Sequence, residues 1–386
     1  MEVKGLAPVV PQWEFQKASL PVHDAHTSDS IQLSGKGDPF LSSMNGLRDF
    51  ARGKTQSMQA VSSSSLKSGF VNDFMDARQI DSRVMELAAR YPDLIKVTTR
   101  DFMTEGYDGK EEALRGPSHL RYVTLSSGKE SDREKPGVLL MASPHGREKM
   151  NPQVMVELME ELCANYHPGS SDPKIREMTD LMDSLNIYMV PVSNPDGLNY
   201  AVHDDANWRK TRSSIPGSKE RGVDVNRNYD YMWESSEPSS QTYSGTAPFS
   251  EAETRHIARI AEEHPDIKLA CDFHSRGEEV KIPAGIEDTH DLEIFKTVQQ
   301  RMISAIGEAR GKHYEPILSD VVNGASDDYL YHKKGIYALV LEDGSSFNPP
   351  RDEALKVVKE VTAGAIELLK VACEMGERER TLQVAA

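Results

Sequence analysis

Residues 137–148 read Gly137-Val138-Leu139-Leu140-Met141-Ala142-Ser143-Pro144-His145-Gly146-Arg147-Glu148. The run over 137–143 is apolar until its closing serine, the pattern of a strand buried on both faces. Pro144 ends it, and a histidine and a glutamate follow at HxxE spacing. In α/β proteins, the loops beyond the carboxyl ends of buried strands carry active sites. A buried strand emptying into such a loop suggests both an α/β fold and a place for chemistry.

Helical and strand patterns alternate on either side of this run. Upstream, Ile80, Val84, Leu87, Ala88 and Tyr91 fall on one helical face, and Pro92 stops the helix. Strand-like runs cover 94–99 and 120–125. Downstream, Asn151-Pro152 reads as N-cap and first-turn proline of a helix with the stripe Met155, Leu158, Met159 and Leu162. A helix over 173–185 leads to a strand over 187–192. Ser250 and Glu253 have capping-box spacing before a helix ending near His264. Another buried strand spans 267–273. Helices over 291–309 and 353–374 flank a last strand over 337–341. This alternation predicts an α/β domain with a largely parallel or mixed sheet.

The chain has 386 residues, 45 Lys+Arg against 61 Asp+Glu, and a net charge of −16. Hydrophobic residues at 38% and charged residues at 27% are globular composition. An acidic chain has no basic field for phosphate backbones, so nucleic acid is not expected as a partner. No apolar run approaches the ~20 residues of a membrane helix, so no membrane span is expected. Residues 1–70 differ from the rest. They hold Ser62 to Ser65, scattered Gly and Pro, no sustained period, and nearly balanced charge, seven Lys/Arg against six Asp/Glu. They read as a mostly disordered leader. Residues 71–376 read as one large domain and 377–386 as a C-terminal tail. Cys163, Cys271 and Cys373 are odd in number and far apart, and read as small buried hydrophobes. With no secretory start at Met1-Glu2-Val3-Lys4-Gly5, a cytoplasmic location is expected. Oligomeric state is not legible.

His145 and Glu148 are of the types that ligate zinc through imidazole and carboxylate. Alone the HxxE spacing is worth little, since His290 and Glu293 repeat it at what reads as a solvated helix start. A catalytic zinc needs a third protein ligand and an open position. His274, in Cys271-Asp272-Phe273-His274-Ser275, is the best candidate, because it too follows a buried strand.

Six motifs then occur in order: His145 to Glu148, Asn194-Pro195-Asp196-Gly197, Trp208-Arg209-Lys210-Thr211-Arg212, Gly222-Val223-Asp224-Val225-Asn226-Arg227-Asn228, His274-Ser275 and Gly324-Ala325-Ser326-Asp327-Asp328-Tyr329. Together they resemble the zinc metallocarboxypeptidases related to pancreatic carboxypeptidases A and B, over roughly Asp76 to Glu374. The resemblance implies a mixed eight-stranded sheet flanked by helices. It implies one Zn²⁺ per chain, held by His145, Glu148 and His274, with Asp224 orienting a ligand imidazole. It implies Glu342 as general base and Arg209 as oxyanion donor. Asn226 and Arg227 would grip the substrate's terminal carboxylate, and Arg147 would line outer subsites. Substrates would be peptide or protein C-termini. Asp327 aligns with the position that is aliphatic in A-type enzymes and aspartate in B-type ones, which implies preference for C-terminal Lys or Arg.

The chain departs from the family in three places. The mobile tyrosine six residues before Ser326 is replaced by Asp320, with Tyr314 nearby as a substitute. After Glu342 the chain reads Asp343-Gly344, where the family has a Leu-Arg-Asp-like run. Residues 1–70 lack the patterned elements of an inhibitory pro-domain. Two rivals follow. One is a cell-wall peptide peptidase or amidohydrolase of the same clan, which the full Trp208 to Arg212 run disfavours. The other is an inactive binding module that keeps the fold. Intact His145, Glu148, His274, Arg209 and Glu342 speak against it.

Overall fold

The computed structural model describes residues 74–128 and 135–385; the expected leader over 1–70 lies outside the described residues. Asp76 opens the first helix, α1 (Ala77–Arg90). Its carboxylate accepts from the Gln79 N–H, while the Gln79 side chain accepts from the Asp76 N–H. Such caps are worth about 1 kcal/mol. The apolar stripe of α1 buries Ile80, Val84 and Leu87.

Among the described residues, one mixed sheet of eight strands carries the fold. The strands are β1 (Ile95–Met103), β2 (His119–Leu125), β3 (Gly137–Ala142), β4 (Asn186–Val190), β5 (Ile267–Ser275), β6 (Glu279–Ile282), β7 (Glu315–Leu318) and β8 (Tyr337–Asp343), ordered β1-β2-β4-β3-β5-β8-β6-β7. The central four, β4, β3, β5 and β8, run parallel. Their carboxyl ends therefore open on one side. The antiparallel pairs lie outside them, β1 with β2, β2 with β4, and β8 with β6.

The buried strand read from residues 137–143 is β3, buried at every position. Its side chains alternate between two cores. Val138, Leu140 and Ala142 face a core shared with α1, α2 (Asn151–Ala164), α3 (Pro173–Ser184), α6 (Thr289–Arg310) and α8 (Arg351–Ala385). Leu139 and Met141 face a second core built with α5 (Ala252–Glu263) and α7 (Ser326–Lys334). Each of the valine, leucine and methionine side chains among them contributes roughly 1.5–3 kcal/mol on burial.

Several sequence expectations shift. Met150, not Asn151, caps α2. Asn151 is its first helical residue, and its amide donates to the Phe273 carbonyl at 2.7 Å, tying α2 to β5. The Ser250–Glu253 box does not form. Glu251 sits at the cap of α5 without a capping bond, because Ser250 Oγ accepts from Asn228 and donates to Glu251. The short strands β6 and β7 and the helix α4 (Pro195–His203) have too few residues to show a period. α8 runs on to Ala385, past Glu374, through the helix-favouring Glu377-Arg378-Glu379-Arg380. All three cysteines are free, with Cys163 and Cys271 buried. Among the described residues, no helix is long and apolar enough to cross a membrane.

Candidate metal centre and its cavity

Three parallel strands deliver the site. His145 and Glu148 follow β3, His274 lies near the end of β5, and Glu342 lies near the end of β8. Side chains alternate along a strand, so Asp272 and His274 share one face of β5 while Cys271 and Phe273 enter the core. The loop after β3 can turn this tightly only with glycine. A Cβ on Gly146 would sit 2.1 Å from the Gly197 carbonyl oxygen. That contact seats the HxxE turn against α4, and Asn194, its N-cap, donates to the Pro144 carbonyl at 3.0 Å.

His145, Glu148 and His274 are each at least 98% buried, and their ligand atoms lie within 4.8 Å of one another. His145 Nδ1 is 2.7 Å from Glu148 Oε1, and His274 Nδ1 is 3.3 Å from Glu148 Oε2. Ligand bonds of about 2.0–2.1 Å put tetrahedral neighbours about 3.3 Å apart. The His274–Glu148 pair stands at that spacing, while the 2.7 Å His145–Glu148 hydrogen bond has to open slightly for both to hold one zinc. Glu148 Oε2 has no hydrogen-bond donor of good geometry among the described residues. A buried carboxylate oxygen in that state fits a cation. Burial works against a charged Glu148, yet the two imidazoles hold its pKa far below the usual carboxylate range.

The far nitrogens of both imidazoles meet carboxylates. His145 Nε2 is 3.0 Å from Asp224 Oδ1, and His274 Nε2 is 3.2 Å from Asp272 Oδ2. The bond to Asp224 fixes the His145 ring with Nδ1 toward the metal position, whereas His274 Nε2 lies near Asp272 without hydrogen-bond geometry. Asp224 is fully buried and also accepts from Arg209 Nε and Nη2 at 2.9 Å. Burial opposes its charge, but Arg209 and His145 hold its pKa well below the usual range. Asp272 Oδ2 takes the Ser326 hydroxyl at 2.6 Å. Sequence reading found Asp224 through its motif and missed Asp272, whose alternation with His274 was the available signal.

The metal cluster opens into a cavity of about 370 Å³. Arg147, Arg209, Asn226, Arg227, Asp327 and Glu342 all line it, so every residue singled out from sequence beside the ligands converges here, apart from Asp224 behind His145. Asn226 follows Asp224 in a short 3₁₀ turn, and its Oδ1 accepts from the Ser326 N–H at 2.7 Å. Arg227 Nη1 donates to the Asn226 carbonyl at 2.6 Å. Gly324, at φ +73°, lets the next loop close on Arg227: a Cβ there would lie 2.2 Å from the Arg227 carbonyl oxygen. Arg147 stacks over Phe347 at 4.5 Å. Burial lowers the pKa values of Arg147 and Arg227, and the neighbouring Arg209 lowers both further. A cavity that crowds guanidiniums in this way is built for an anion.

Asp327 is buried at the start of α7, and burial followed by the nearby Asp328 raises its pKa well above the usual range. Its cavity also holds Lys281 and Arg276, which sequence reading missed. The Ser275–Arg276 peptide is cis. Tyr314 does not replace the family tyrosine: it is fully buried, donating to Glu360 at 2.8 Å and accepting from the Gly344 N–H. Asp320 is exposed. The Asp343-Gly344 departure has a local support of its own, since Ser275 Oγ donates to Asp343 at 2.5 Å and Gly277 N–H donates to the Gly344 carbonyl at 3.0 Å. His290 and Glu293 are exposed at the start of α6, away from this cluster.

Comparison with known proteins agrees with this geometry. The peptidase M14 family, described as zinc carboxypeptidase, matches residues 82–364. A carboxypeptidase B of Astacus astacus is 30% identical over 70% of this chain and 86% of its own length. A carboxypeptidase B of Bos taurus is 28% identical over 75% of each chain. A carboxypeptidase A2 of Rattus norvegicus is 31% identical over 60% of this chain and 57% of its own length. Among solved structures, thrombin activatable fibrinolysis inhibitor shares the fold with a TM-score of 0.69 at 22% identity, over 86% of this chain and 80% of its own. The carboxypeptidase A of Helicoverpa armigera does so with a TM-score of 0.66 at 23% identity, over 78% and 74%.

Proposed function

The chain belongs to the zinc carboxypeptidase family and is a peptide-bond hydrolase, and from that premise we propose that it releases single residues from the free C-termini of peptides or proteins. The observation that carries this reading is the placement of His145, Glu148 and His274 at the head of one cavity that also holds Arg209, Asn226, Arg227 and Glu342.

Bound zinc supplies the Lewis acidity that polarises a scissile carbonyl and lowers the pKa of an attacking water. Glu342 accepts the water's proton and passes it to the leaving amine. Arg209, braced by Asp224, donates to the developing oxyanion. Arg227 grips the terminal carboxylate, with the Asn226 amide held in place through Ser326. Arg147 lines the subsites further along the peptide. Acceptance of C-terminal Lys or Arg is the finer part of the proposal, and it rests on Asp327 in the cavity wall.

Matched peptides with free and amidated C-termini test the exopeptidase reading. The free peptide is expected to be cleaved at its last bond. The amidated one is expected to be a poor substrate, because Arg227 loses an anionic partner. Equal cleavage of both would overturn the reading.

A further inference from the structure

The segment Glu279-Val280-Lys281-Ile282 alternates charged and apolar residues, and β6 sorts them by face. Val280 and Ile282 enter the core. Glu279 and Lys281 therefore lie on the opposite face, and Lys281 lines the cavity. In the antiparallel register with β8, Lys281 stands opposite Val340 and Glu279 opposite Glu342. Lys281 Nζ lies 3.0 Å from Glu279 and 3.5 Å from Glu342. Burial opposes its charge, but Glu342 and Glu279 together raise its pKa, so it stays an ammonium ion.

The cavity that Asp327 lines thus also holds a cation. Val340, Ala325 and Ser319 line the same cavity. An ammonium group has three N–H donors, and the two glutamates use two. The third can meet an incoming carboxylate. Asp327 is buried beside Asp328, which weakens it as an anion against a basic side chain.

We propose that Lys281 is a specificity-determining residue of this site, whose ammonium admits a C-terminal Glu or Asp side chain and offsets the pull of Asp327 on Lys or Arg. The inference rests on the carboxypeptidase reading above. The cavity then carries two opposed charges, with Asp327 drawing basic side chains and Lys281 acidic ones. The balance between them sets the ratio of kcat/KM for the two classes.

Matched peptides ending in Glu, Leu or Arg test this on the zinc-loaded wild type and on Lys281→Met, Lys281→Arg and Asp327→Asn. Lys281→Met is expected to lower the Glu-to-Arg ratio of kcat/KM at least tenfold. Lys281→Arg, which keeps the charge, is expected to retain most of the wild-type ratio. Asp327→Asn is expected to move the ratio the other way. If Lys281→Met scales all three substrates alike, the residue only positions Glu342 and the inference falls. If the wild type releases no C-terminal residue from any peptide, the carboxypeptidase reading itself falls.

Discussion

His274 and Glu342 are direct partners in the parallel register of β5 and β8. One hydrogen-bonded ladder therefore sets the distance between a metal-ligating imidazole and the carboxylate assigned as base. Their substitutions should separate cleanly. His274→Ala is expected to lose stoichiometric zinc and turnover together. Glu342→Gln is expected to keep zinc and lose turnover by about 10²–10⁴-fold, the usual worth of a general acid–base group. Metal analysis of each purified variant beside its kcat checks both. Full zinc and full turnover in His274→Ala would refute the ligand assignment.

Asp224 joins two functions, since one oxygen meets His145 and the other Arg209. Asp224→Asn leaves the size of the side chain but removes the charge that both partners need. Zinc affinity is expected to fall about 10–100-fold, as for other groups behind a metal ligand. Competition against a chelator measures this without any substrate. Unchanged affinity would show that Glu148 and the imidazoles suffice.

Arg227 should carry discrimination between free and amidated C-termini. A charge-assisted hydrogen bond is worth ~1.5–3 kcal/mol, or roughly 10–150-fold in kcat/KM. Arg227→Ala is expected to lose about that much on free peptides and little on amidated ones, so their ratio collapses toward one. Arg227→Lys is expected to recover only part, because a point charge lacks the planar fork. A ratio that survives Arg227→Ala would place the carboxylate elsewhere.

Much of this was legible in the sequence because the signals were strong and local. The apolar run Val138 to Ala142, closed by Pro144, has the length of a strand buried on both faces, and it is one. The ligands and Asp224 came with motifs. What escaped was short or set by tertiary packing. Glu279 to Ile282 has one period of alternation, too little to announce a strand, so Lys281 gave no sign of facing Glu342. Asn151 looked like an N-cap by type, yet a buried carbonyl at Phe273 claimed its amide. Tyr314 looked available by position, but Glu360 and Gly344 hold it in the core.

The last prediction concerns His256, on α5 and far in function from the cavity. It is fully buried; Arg100 Nε donates to its Nδ1 at 3.1 Å, and its Nε2 lies 3.1 Å from the Arg121 carbonyl. Arg100 cannot give up its proton, so Nδ1 must stay bare and the imidazole neutral, with Nε2–H donating to Arg121. Burial pushes the pKa of His256 from 6.5 down to about 4; the Arg100 charge adds to this, while the Arg121 carbonyl and Glu263 resist it. The unfolded chain then binds the extra proton between those values. Stability is therefore fully present above pH 6.5 and is lost as pH falls toward about 4. At about 1.4 kcal/mol per pH unit, the loss attributable to His256 is about 3 kcal/mol. His256→Gln keeps an acceptor for Arg100 and a donor for Arg121 but does not titrate. Urea unfolding of both proteins between pH 7 and pH 4.5 isolates the effect, because the zinc ligands and surface carboxylates are common to both. The wild type is expected to lose stability on acidification faster than the variant, by roughly 2–3 kcal/mol over that span. Parallel curves would mean that His256 accepts its proton in the folded protein, and that Arg100 yields to let it.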